Sequence, residues 1–242
     1  DVFTRLLQSL DAPAPQALYA GAIPIPTQLP GFARENVLDL LSPAIEAKIW
    51  LGNRVTVATH FDMSYNVACV VAGRRRFTLI PPDQLENMYV GPLEFTLAGP
   101  PVSMVRLEAP DFERYPRFRT AMAAAQFADL EPGDALFIPY MWWHHVESRD
   151  RFNVLVNYWW DDAPAWQSSP FWALMHGIHA VRNLSPEHRE IWRRQFEHFV
   201  FSGGEEALAH LTESQRGIQG TPTAQKAQAI RNYVAQMLAG RR

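Results

Sequence analysis

Apolar and polar positions alternate through the middle of the chain. From Ala47 to Pro82 the sequence reads AKIWLGNRVTVATHF and then NVACVVAGRRRFTLIPP. Short β-branched and aromatic runs broken by Gly and Asn predict strands. A turn at Glu131-Pro132-Gly133-Asp134 precedes further strand-like runs, ALFIP, WWHHVES and FNVLVNYWW. This spacing predicts an all-β barrel or sandwich over about residues 15–160. Upstream, Pro13, Pro15, Pro24, Pro26 and Pro30 disfavour long helices and suit short strands joined by extended coil. Residues 36–47 are expected to hold a short helix with Asn36 as its N-cap, and residues 118–128 an Ala-rich helix.

The period changes near residue 165. Ser169-Pro170, Ser185-Pro186 and Thr221-Pro222 each open a stretch with apolar residues at helical spacing. The third stretch carries Ile230, Tyr233, Val234, Met237 and Leu238. The expected organisation is a β domain over 1–165 and a helical extension over 166–242.

Composition narrows the function classes. Hydrophobic residues are 48% and charged residues 19% of the 242, which excludes wholesale disorder. The net charge of -3 gives no global argument for nucleic acid. Among the 22 basic residues only Lys48 and Lys226 are lysines. The single cysteine, Cys69, excludes an intrachain disulfide scaffold and a Cys-rich zinc site, and it fits a cytoplasmic location. No apolar run is long enough to predict a transmembrane helix. The opening Asp-Val-Phe-Thr-Arg lacks the charged-then-apolar form of a signal peptide and an initiator Met, so a trimmed targeting segment stays open.

The chemistry lies in His60-Phe61-Asp62. In a strand, residues i and i+2 share a face, so an imidazole and a carboxylate can reach one ion. A third ligand is expected from Trp142-Trp143-His144-His145. Two His and one carboxylate on one face of an octahedron leave three positions open, as in non-haem Fe(II) oxygenases. An H-x-D tripeptide alone is a weak signal, more often a chance match or a hydrogen-bonded core pair. Its combination with a His pair in a second aromatic strand carries the weight.

HFDMSYNVACVVAGRRRFTLIPP, EPGDALFIPYMWWHHVES and NVLVNYWW occur in that order. In these segments the chain resembles the JmjC/cupin-like (cupin-8) family of Fe(II)/2-oxoglutarate-dependent oxygenases, closest in pattern to its asparaginyl hydroxylases. The resemblance implies a mainly β fold, a double-stranded β-helix (jelly roll), with Fe(II), 2-oxoglutarate and dioxygen as the reaction's needs. It assigns His60, Asp62 and His144 as iron ligands. Strand alternation says only that His144 and His145 face opposite ways; the family motif selects His144. His145 then points outward or serves a structural hydrogen bond.

In the family a Lys two residues after a Gly commonly holds the distal carboxylate of 2-oxoglutarate. Here that position is Arg75, which keeps the charge. A period-2 reading also aims Arg75 inward, on one face with Cys69, Val71, Phe77 and Leu79. Tyr19, Asn66, Asn157 and Trp159 match further residues of the cosubstrate site. Val57 stands where the family has a cosubstrate-binding Thr, with Thr56 or Thr59 as conceivable substitutes. Trp142, Trp143, Trp159 and Trp160 are expected to help keep the site dry. The implied activity is hydroxylation of a protein or peptide side chain. A small-molecule hydroxylase, an N-demethylase or a non-catalytic metal-binding module are the alternatives. No nucleic acid or membrane partner is expected, and a homodimer through the C-terminal helices is.

Overall fold

A computed structural model describes residues 2–10, 16–94, 99–202 and 205–240. The chain divides into two compact units, Asp1–Asp161 and Asp162–Arg242.

The first unit is a jelly roll of two antiparallel sheets. The larger runs in the order β1 (Tyr19–Pro24), β2 (Ala47–Gly52), β9 (Asn153–Trp160), β4 (Tyr65–Ala72), β7 (Ala135–Ile138). The smaller runs β3 (Thr56–Phe61), β8 (Trp143–Ser148), β5 (Arg75–Ile80), β6 (Gln126–Leu130). Between them lies an apolar core of Ala68, Val70, Phe77, Leu79, Leu130, Ile138, Val146 and Leu155. Ile25, Ile49, Val154 and Val156 pack on the outer face of the larger sheet. The outer face of the smaller sheet is covered by residues of 82–94 and 99–125, with Phe61, Ile80 and Trp143 meeting Met88, Val105 and Phe118.

The N-terminal expectation needs correction. The described residues among 2–35 hold one strand and three short helices, α1 (Val2–Ser9), α2 (Ile25–Gln28) and α3 (Pro30–Glu35). Pro26 and Pro30 sit in first helical turns, where a missing N–H costs nothing. Pro13 and Pro15 lie outside the described residues. Asn36 ends α3 rather than starting a helix, and its side chain donates to the Phe32 carbonyl. No helix follows in the described residues 36–46. The Ala-rich helix is α4 (Phe118–Ala123) alone, because Gln126 to Leu130 pair with β5 as a strand.

Gly73 makes the β4–β5 turn at φ 71°, and a Cβ there would strike the Phe152 carbonyl and the Asn153 side chain. This turn corrects the sequence-based face of Arg75. Along β4 the inward residues are Asn66, Ala68 and Val70, whereas along β5 they are Arg75, Phe77 and Leu79. Cys69 and Val71 therefore lie on the opposite face.

The second unit holds α5 (Pro170–Val181), α6 (Pro186–Phe196) and α7 (Ala224–Leu238). Ser169 and Ser185 cap the first two through their hydroxyls. The third begins two residues after Pro222, capped by Thr223, whose hydroxyl accepts from the Lys226 amide. Among the described residues of this unit no hydrophobic side chain is buried.

Candidate metal centre

Pairing of β3 with β8 places His60 directly opposite His144. The register shifts between Val57 and His60. This extra residue turns His60 to the inward face that Val57 already occupies, although the two are three residues apart. Asp62 follows just past the end of β3, where its carbonyl accepts from the Met141 amide at 3.1 Å. Met141 sits at φ 63° and starts the path into β8.

The side chains converge. Asp62 Oδ1 lies 3.9 Å from His60 Nε2, and Oδ2 lies 3.6 Å from His144 Nε2. One ligand atom from each residue falls within 4.8 Å of the others. Ligands each ~2.1 Å from one ion stand at most ~4.2 Å apart, so the two carboxylate separations suit a shared ion. Among the described residues this is the one group of three such donors.

Backbone carbonyls fix the imidazoles. His60 Nδ1–H donates to the Ala58 carbonyl at 2.8 Å, and His144 Nδ1–H to the Trp142 carbonyl at 3.0 Å. Both Nε2 lone pairs are thereby free for a metal. Burial, with His60 alongside, pushes the His144 pKa down to about 4, so its ring is neutral at ordinary pH. His145 takes the other face and is buried there, with Nδ1 3.4 Å from the Thr59 hydroxyl.

A cavity of about 130 Å³ runs inward from the three ligands. It holds about four waters' worth of liquid at ~30 Å³ each, the scale of a small acid rather than a large ligand. Tyr19, Asn66, Arg75, Asn157 and Trp159 all line it, together with His60, Asp62 and His144. Asn157 Nδ2 donates to Asn66 Oδ1, which ties β9 to β4. Val57 faces the cavity, whereas Thr56 and Thr59 do not line it.

Arg75 is 2% exposed, and its Nε and Nη2 have no hydrogen-bond partner. Those two atoms form one edge of the guanidinium fork, the geometry that takes a carboxylate bidentately. Desolvation lowers its pKa to about 10, against a pull from Tyr19, so the group stays cationic near neutrality. Desolvation likewise pushes the Tyr19 phenol up to about 12. Behind Arg75 an open basin of about 780 Å³, lined mainly by charged side chains, faces solvent, and Arg75 lines this basin as well as the cavity.

The tryptophan wall differs from expectation. Trp159 lines the cavity, but Trp143 packs against Phe61 under residues 82–125. Trp160 stands in an outward aromatic cluster with Tyr65 and Phe137. Trp142 packs against the apolar core. The residue that sequence reasoning missed is Trp50, which stacks on Tyr19 and meets Trp159 edge-on. Alternation in β2 carries the signal, since buried Ile49 faces the outer cluster and sets Trp50 on the other side.

Fold and site together define a cupin with a candidate two-histidine, one-carboxylate metal site. The chain belongs to the cupin-like domain family, which it matches over residues 1–165. Its relatives are of JmjC type. It is 39% identical over 103 residues to the lysine-specific demethylase JMJ31 of Arabidopsis thaliana, covering 43% of this chain and 18% of that protein. Identity is 38% over 107 residues to the tRNA wybutosine-synthesizing protein 5 of Gallus gallus, covering 44% and 30%. Identity is 35% over 117 residues to the human HSPB1-associated protein 1, covering 47% and 23%. The matched segments thus span less than a third of these relatives. Among solved structures, a cupin superfamily protein from Desulfitobacterium hafniense aligns with 62% of this chain and 84% of its own, at 14% identity and a TM-score of 0.30, too loose a likeness to bear on function. Among the described residues no helix is long and apolar enough to cross a membrane.

Proposed function

We propose that the chain is an Fe(II)- and 2-oxoglutarate-dependent dioxygenase that hydroxylates a protein or peptide side chain. The observation that carries this reading is the unpaired edge of Arg75, buried in the same cavity as the His60, Asp62 and His144 donors. A buried cation without a counter-charge is costly, and the distal carboxylate of a 2-oxo diacid would satisfy it.

His60, Asp62 and His144 would hold the iron, and three protein ligands would leave room for the cosubstrate and dioxygen. When bound, iron and 2-oxoglutarate supply the oxidation: dioxygen yields one oxygen atom to a substrate C–H bond and one to succinate, with release of carbon dioxide. Arg75 and the Tyr19 hydroxyl grip the far carboxylate and set the acid's orientation. Asn66 and Asn157 give the cavity wall polar contacts. Trp50 and Trp159 narrow the chamber and keep water out. The net charge of -3 gives no support to a nucleic-acid substrate. The exposed apolar side chains of α7, including Tyr233 at 63% and Leu238 at 63%, favour a homodimer through the C-terminal helices.

The test is a titration of 2-oxoglutarate into the chain with Mn(II) under argon, followed by succinate release with Fe(II) and air. Metal-dependent binding and slow succinate formation are expected. Failure of both overturns the oxygenase reading and leaves a metal-binding module.

A further inference from the structure

Lys48 stands at the metal end of the barrel. β2 runs antiparallel to β9, with Lys48 opposite Asn157 and Gly52 opposite Asn153. The Gly52 end of β2 therefore lies toward Arg75, and the Lys48 end toward Trp159 and the ligands. Strand alternation puts Lys48 on the same face as Trp50. Its Nζ sits over the Trp159 ring, 5.2 Å from the centroid, and the same Trp159 lines the cavity beside His60 and Asp62. Contact with the ring holds the ammonium in place. Lys48 forms no ion pair within 4.0 Å among the described residues.

The charges of the loaded site show why this cation matters. A divalent ion and Arg75 bring three positive charges, while Asp62 and the 2-oxoglutarate dianion bring three negative ones. His60 and His144 are neutral as ligands. The loaded cavity is then balanced, and Lys48, over the Trp159 ring that lines it, is a cation outside that balance. Partial shielding from water strengthens its pull on an opposite charge.

We infer that Lys48 anchors a carboxylate of the substrate, so that the oxidised side chain belongs to, or lies next to, an acidic residue of a peptide. This deepens the oxygenase reading and rests on it. Lys48 acts as a specificity residue: it draws in acidic substrates and disfavours basic ones.

The experiment uses the full chain with Mn(II) and 2-oxoglutarate under argon. Fluorescein-labelled short peptides differing only in a central Glu, Gln or Lys are titrated by polarisation. The Glu peptide should bind about tenfold tighter than the Gln peptide. Lys48→Arg should keep that preference. Lys48→Glu should lose it and favour the Lys peptide instead. Competition by free glutamate would assign the same carboxylate chemistry to a small acid, and its failure to compete would assign it to a peptide. No preference for Glu in the unmodified chain, no peptide binding at all, or an unchanged preference in Lys48→Glu would each overturn the inference. The 2-oxoglutarate titration is read separately. Its failure counts against the oxygenase reading, whereas its success without an acidic preference counts against Lys48 alone.

Discussion

At the scale of single residues, two groups carry most of the expected behaviour. Arg75 holds a buried charge whose Nε and Nη2 have no hydrogen-bond partner among the described residues. Arg75→Met keeps a side chain of comparable bulk and removes that charge. The chain without ligands should become more stable by roughly 1 kcal/mol or more, while 2-oxoglutarate binding weakens by roughly 2 kcal/mol or more. Paired denaturant titrations and ligand titrations would show the two effects in opposite directions, and equal 2-oxoglutarate affinity would remove Arg75 from the seat. His144 governs the response to acid. Its folded pKa, about 4, lies below the ordinary 6.5. Between these values the unfolded chain takes up a proton that the folded chain refuses, so metal-free stability should fall as pH drops from about 6.5 toward about 4. Bound Mn(II) should hold stability to lower pH, because the ion competes with the proton for Nε2. Urea midpoints at several pH values, with and without Mn(II), check both statements.

At the scale of elements, the hairpin between β4 and β5 is pinned from outside. The Arg74 amide and guanidinium donate to the Asp150 carboxylate, and the Arg149 amide donates to the Arg74 carbonyl. Hydrogen bonds from Arg74 pull the Asp150 pKa down to about 2. This clamp is in force above the usual carboxylate range and is lost as pH falls through about 2. Asp150→Ala should raise hydrogen exchange at the Arg74 amide severalfold near neutral pH; unchanged exchange would mean that Gly73 alone fixes the hairpin. Most β strands from residue 47 onward were legible in period-2 alternation, β6 excepted, and His60 with Asp62 in their spacing, whereas His144 was chosen over His145 only through the family resemblance. Two other features were not legible. The inward turn of His60 depends on a register shift against β8, and the parity change between Val70 and Arg75 depends on the Gly73 turn. Neither leaves a mark in local hydrophobicity. Trp50 joins the cavity only through pairing of β2 with β9, a contact about 100 residues apart in the chain.

For the whole molecule, the helical second unit has no buried hydrophobic side chain among its described residues. Trp172, Ile191, Phe201, Tyr233 and Leu238 are exposed in this unit, and in the homodimer proposed above such side chains would supply apolar contact area. Sedimentation of the full chain should give a dimer, and a chain ending at Gly220 should give the monomer mass. No change on truncation would exclude α7 from the interface, since a stable contact needs upwards of ~1,000 Å².

Arg75 borders both the inner cavity and the solvent-filled basin behind it. Its guanidinium thus belongs to the wall of both spaces. If the cavity holds iron and 2-oxoglutarate as proposed, a short residue at this position should open it toward the basin. Water would then reach the metal from the rear, and a longer 2-oxo diacid could thread its tail outward. The choice of Arg75 sets chamber length and dryness along with charge.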